Sequence, residues 1–162
     1  MRSSIFIVAL FISSIAFSQN TIVGKWTPVY FTMDKIMTAD VKADTFYVSD
    51  TLNVLLKDDE DPKESMKMMH LLFEMMLEGM KDVQDEFTGS GAYIETNTHS
   101  KKVKTGTYSF DKIKNELITK INSATEKYAV SFKGDHLLLT GQLGEGAESR
   151  GVLEIEYERI KD

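Results

Sequence analysis

From Gly91 onward, apolar and polar residues alternate in short runs. AYIETNT, KVKTGTYSF, ELITKI, EKYAVSF, HLLLTGQL and GVLEIEYERI are six such segments, joined by turn-forming stretches in DKIKN, NSAT, KGD and GEGAESRG. A period of two gives each segment one greasy and one wet face, the pattern of a half-buried strand. In the last segment Leu153, Ile155, Tyr157 and Arg159 share one side, while Glu154, Glu156 and Glu158 share the other. Gly106, Tyr108 and Phe110 alternate in the same way, as do Tyr128, Val130 and Phe132. Two earlier runs, Gly24–Met33 and Thr45–Leu56, carry aromatic and β-branched residues at strand frequency, and DKIMTADVKAD between them reads as loop or helical turn. The count is eight strands. Closing them into an antiparallel up-and-down barrel leaves no exposed edge, although an open two-sheet sandwich satisfies the same alternation.

One segment departs from this rhythm. Between the second and third strands, Asp61 can cap a helix, Pro62 suits its first position and Glu64 stands three residues after the cap. The spacing predicts a helix from Pro62 to about Phe87, ended by the glycines of TGSG. Lys63, Lys67, His70, Glu74, Glu78, Lys81 and Asp85 fall on one polar arc of this helix. Met66, Met69, Phe73, Met76, Leu77, Met80 and Val83 form its main apolar face. Met68, Leu71, Leu72 and Met75 form a second, nearly opposite face. A helix on a barrel wall buries only one, so the second meets something else. A loop of the same chain, a ligand under a lid, a second protomer and a membrane are the options; the acidic chain disfavours the last.

The chain has 162 residues, and its first eighteen read as a leader rather than as part of the domain. Arg2 precedes the apolar stretch Ile5–Phe17, and Ala16 and Ser18 place small residues where a signal peptidase reads. The stretch is short for a membrane span, the alternative being an N-terminal anchor. Residues 1–18 are thus expected to be a signal peptide and residues 19–162 one domain, exported to the periplasm or secreted, with no membrane insertion after cleavage. Without the leader, 18 Lys and Arg stand against 25 Asp and Glu, a net charge of −7. That balance opposes nucleic acid and anionic membrane surfaces. With no cysteine the fold relies on its core alone.

Arg159 lies on the apolar side of its strand, where an unpartnered charge is costly. In a closed meander the first strand neighbours the last, which sets Trp26, the single tryptophan, beside it. An arginine stacked on an indole gains roughly 0.5–2 kcal/mol; projection of Arg159 into solvent near the chain end is the alternative. Gly24-Lys25-Trp26 at the start of the first strand, with Arg159 near the end of the last, resembles the signature of the lipocalins and the wider calycin group. IVGKW, GTYSF, FKGDHLLLTG and YERI look like the bacterial lipocalin-like domains of exported proteins. The resemblance implies an eight-stranded barrel with the Trp and Arg packed across its closed end. The helix between the second and third strands departs from the family, where the long helix follows the barrel.

Catalytic signals are sparse. The chain has no cysteine nucleophile, G-x-S-x-G elbow, phosphate loop or H-E-x-x-H. His70 and Glu74 are one helical turn apart but lack the third ligand that zinc needs, and DDEDPKE lacks the glycine and alternation of a calcium loop. No metal, no cofactor and no enzymatic activity are expected. Glu95 and Glu116 are carboxylates that nothing in the sequence pairs. The expected function is binding of a small apolar molecule inside the barrel. Tyr108, Phe110, Tyr128, Phe132 and Tyr157 would line the cavity, with Met69, Phe73 and Met76 as a lid. The alternative is an interaction or structural protein of the envelope that uses Met66–Met80 to dimerise or to engage a partner.

Overall fold

A computed structural model describes residues 21–143 and 151–161; the expected signal peptide lies outside the described residues. The elements run β1 (Gly24–Met33), β2 (Met37–Asp40), β3 (Thr45–Val48), α1 (Thr51–Leu55), α2 (Pro62–Lys81), β4 (Val83–Phe87), β5 (Ala92–Asn97), β6 (Val103–Asp111), β7 (Glu116–Ile121), β8 (Ala124–Lys133), β9 (His136–Leu143) and β10 (Gly151–Arg159). From β4 to β10 each strand pairs antiparallel with the next, β10 pairs with β1, and β1 returns to β4. Eight strands therefore close an up-and-down antiparallel barrel, with the long helix α2 between β3 and β4.

β1 serves two neighbours on its other edge. Gly24–Trp26 pairs with β4, while Tyr30–Met33 pairs with β2, which carries β3 as an outer strand. A bulge between Pro28 and Tyr30 marks the division. Proline cannot donate to a ladder, so it fits where pairing changes hands. The hairpin β2–β3 thus extends from the ring as a flap. Its Met37 and Ala39 are buried, and Phe31, opposite Ala39, is 1 % exposed.

Helix α2 packs on this flap. Phe73 is 0 % exposed, with its ring 5.7 Å from Phe31 and 6.1 Å from Phe46. Leu77 is buried beside it, and Met69, Met76 and Met80 are half-buried against the same core. The Asp61 carboxylate accepts the Glu64 backbone N–H at 3.1 Å, and Pro62 opens the helix, where a missing N–H is harmless. At the other end Lys81 pairs with Asp44 at 2.6 Å and Glu78 at 2.7 Å.

Three boundaries differ from the sequence expectation. The helix stops at Lys81, and Val83–Phe87 is the strand β4. Asp82 ends the last turn without a glycine, and Val83, Asp85 and Phe87 then follow the pairing demand of β5 rather than helical spacing. The run Thr45–Leu56 is strand only to Val48; Leu52 is then buried as the anchor of the one-turn helix α1. Finally, DKIMTADVKAD holds β2, four residues whose Met37 and Ala39 reach the core.

At the closing pair, Trp26 lies directly across from Arg159. The guanidinium carbon stands 4.2 Å from the indole centroid. Arg159 Nη1 donates to the Val23 carbonyl at 2.8 Å and Nη2 to that of Thr21 at 2.7 Å, while Trp26 Nε1 donates to Ile22 O at 2.8 Å. Gly24 makes this possible. A Cβ there would meet Arg159 Nη1 at 2.3 Å, and its φ of +142° is one that other residues rarely adopt.

Candidate binding site in the barrel

The β8–β9 ladder begins at Lys133–His136 and ends at Tyr128–Gly141. Beyond that pair the two strands part. Ala124–Lys127 stays with β7, whereas Gln142 and Leu143 stay with β10. A cleft of about 840 Å³ lies at the split, lined by residues from both faces of the wall. Ala124, Glu126, Tyr128, Gly141 and Leu153 contribute from the inner face, set by their register with Ile121, Thr119, Leu117 and Ile155. The volume lies within the range of small-molecule sites, about 300–1,000 Å³.

Tyr128 is the main wall of this cleft. Its ring lies against Gly141, where a Cβ would come within 2.8 Å of Cδ1 and 2.9 Å of Cε1. Glycine at 141 is therefore what lets the phenol lie flat on β9. The Tyr128 hydroxyl donates to Glu126 Oε2 at 2.7 Å, and burial together with that carboxylate raises its pKa.

Deeper in, the barrel is polar. Asp85 points inward from β4 and is 4 % exposed. The Tyr93 hydroxyl donates to Asp85 Oδ1 at 2.8 Å, and the Tyr157 hydroxyl lies near the same carboxylate. Burial raises the Asp85 pKa to about 6; the two hydroxyls pull it down, and Glu95 and Glu126 push it up. Tyr93 and Tyr157 are in turn raised, first by burial and then by the Asp85 charge. Glu95, on the inner face of β5 opposite Asp85, binds Lys104 at 2.6 Å. Glu116 faces outward and pairs with Lys127 at 2.6 Å.

The residues expected to line a cavity divide into three groups. Tyr128 alone of the eight borders the cleft, while Tyr157 lies at the buried carboxylate. Tyr108, Phe110 and Phe132 face inward and are half-buried; Tyr108 donates to Thr88 O at 2.7 Å and meets Phe87 edge-on at 5.2 Å. Met69, Phe73 and Met76 pack on the β1–β2–β3 flap and are not brought to the cleft. Asp85, Glu126 and Tyr93 were not expected there. Asp85 was placed by helical spacing on a polar helix face, and only a strand break after Lys81 turns it inward. The signal that could have found it is Val83-x-Asp85-x-Phe87, an alternation that runs on into AYIETNT.

His70 stands edge-on to Phe46 at 5.5 Å. Among the described residues no three His, Cys, Asp or Glu side chains gather as a metal site, and no helix is long and apolar enough to cross a membrane.

No family model matches the chain, and no curated protein matches it. Among solved structures, it is similar to a DUF4847 family protein from Bacteroides vulgatus, with 12 % identity over 86 % of this chain and 94 % of that one, at a TM-score of 0.46.

Proposed function

We propose that this chain is an exported, non-catalytic, lipocalin-like barrel that binds a small molecule through the split between β8 and β9. The observation that carries the reading is the cleft itself, an opening in an otherwise closed wall, with the Tyr128 ring and Leu153 offering apolar contact and Glu126 offering an acceptor. Binding fits this site better than catalysis. Among the described residues each inward carboxylate already has a partner, Asp85 with Tyr93, Glu95 with Lys104 and Glu126 with Tyr128, and none is set against a nucleophile. The apolar run ahead of Gln19 supports export.

A fluorescence titration with the neutral dye Nile red tests this. Saturable one-to-one binding is expected. Gly141→Leu, which drives the Tyr128 ring into the cleft, and Leu153→Trp, which fills it from β10, should each weaken binding at least about tenfold, or about 1.4 kcal/mol. No saturable binding, or unchanged affinity in both folded variants, overturns the reading.

A second reading concerns the outer face of α2. Met68, Leu71, Leu72 and Met75 are 48–63 % exposed, and Val54 and Leu55 of α1 are exposed as well. The described residues do not cover this face, and contiguous apolar surface of that kind favours association with a second copy. Sedimentation of the wild type should then show a dimer, and Met68→Lys with Met75→Lys should give a monomer with stability changed by less than about 0.5 kcal/mol. A wild-type monomer at high micromolar concentration excludes the interface.

A further inference from the structure

We infer that the ligand of this cleft is an organic cation, a primary ammonium carried on a small apolar body. The inference rests on the preceding reading of the cleft as a ligand site, and it is carried by the disposition of charge and hydroxyl groups on the inner wall. Inward positions of the described strands hold three carboxylates, Asp85, Glu95 and Glu126, against two cations, Lys104 and Arg159. Both cations are already committed. Lys104 is tied to Glu95 at 2.6 Å, and Arg159 is held on the Trp26 ring with its donors on the Val23 and Thr21 carbonyls. Asp85 and Glu126 are left with tyrosine hydroxyls as their only partners among the described residues.

A carboxylate satisfied by one or two neutral donors keeps acceptor capacity, since its two oxygens offer about four lone-pair sites. An ammonium brings three donors and the opposite charge, and charge-assisted bonds are roughly twice as strong as neutral ones. Burial raises the Asp85 carboxyl only to about 6, so it is largely ionised at neutral pH and the interior keeps its negative field.

Thr119 is an independent pointer to a ligand. It lies on the inner face of β7, directly across from Glu126 on β8 and Tyr108 on β6, and is 4 % exposed. Its hydroxyl makes no hydrogen bond among the described residues. No fully occluded side-chain oxygen or nitrogen there lacks a partner, so the Thr119 oxygen is not fully occluded. The residue is more than nine-tenths buried, and its hydroxyl keeps donor and acceptor capacity beside Glu126. The Tyr128 ring, flat against Gly141 at the cleft, adds a π surface that attracts a cation. A carboxylate ligand would instead meet Glu126 at the entrance and Asp85 within.

Three matched probes decide the point: 2-phenylethylamine, 2-phenylethanol and 3-phenylpropionate, each titrated against the full domain by calorimetry at pH 7.5 and low salt. The amine should bind at least about tenfold more tightly than the alcohol, the acid should be weakest, and the amine's advantage should shrink as salt is raised. Glu126→Gln should bring amine and alcohol to within about threefold of each other. Equal binding of amine and alcohol, or preference for the acid, overturns the cation inference while saturable Nile red binding leaves the pocket standing. Failure of the dye and all three probes together removes the pocket reading, and this inference with it.

Discussion

Trp26→Ala is expected to lower the unfolding free energy by about 3–5 kcal/mol, the range for a large aromatic removed from a packed interior. The indole is 1 % exposed, and its loss removes three things together. It vacates the centre of a core that includes Ile22 and Phe87, it deprives Arg159 of its stacking face, and it frees the Ile22 carbonyl from Nε1. Arg159 would then remain tethered only through the Val23 and Thr21 carbonyls. A double-mutant cycle with Arg159→Ala should isolate a coupling of about 0.5–2 kcal/mol for the stacked pair. Urea denaturation followed by far-ultraviolet circular dichroism measures both quantities. A Trp26→Ala cost below 1 kcal/mol, or zero coupling, would show that the two ends are not held by this contact.

Asp85→Asn should stabilise the protein at neutral pH. The folded carboxyl titrates at about 6 against an ordinary value of 3.8, and at roughly 1.4 kcal/mol per unit the difference is about 3 kcal/mol. Because the folded state holds the proton more tightly than the unfolded chain, the contribution of this group is fully present below about pH 4. It is lost as pH rises through about 6. Asparagine keeps an oxygen for the Tyr93 hydroxyl but carries no charge. Thermal melts of the two proteins should therefore nearly coincide at about pH 4, and the variant should gain steadily toward pH 7.5. A gain that does not vary with pH, or a variant less stable at pH 7.5, contradicts the account.

Much of the barrel was legible in the amino-acid order, and the reasons are local. The six strands after Gly91 are each half-wet and bounded by turn residues, so period and punctuation agree. Leu153, Ile155, Tyr157 and Arg159 could be assigned to one face because Glu154, Glu156 and Glu158 leave no other choice. The front of the chain was harder. β2 is four residues long, too short for alternation to register, and α1 is hidden in a run of β-branched and apolar residues. At the end of α2, Val83 and Phe87 continue the helical spacing from Met80 and also alternate as a strand, and Asp82 breaks neither pattern. Misplacing that single boundary concealed Asp85. Tyr108, Tyr128 and Tyr157 read from the sequence only as apolar surface; that Tyr93 and Tyr128 give their hydroxyls to carboxylates depends on the partners that strand register brings near, which composition does not set.

The join between β1 and β10 has a consequence for how the molecule is made. Trp26 waits for Arg159, more than a hundred positions later in synthesis, so the ring cannot shut until the final strand has left the ribosome. Until then β1 offers an unsatisfied edge to any passing strand. Contacts of such long sequence separation slow the last step of folding, leaving the chain open to chaperones before it locks.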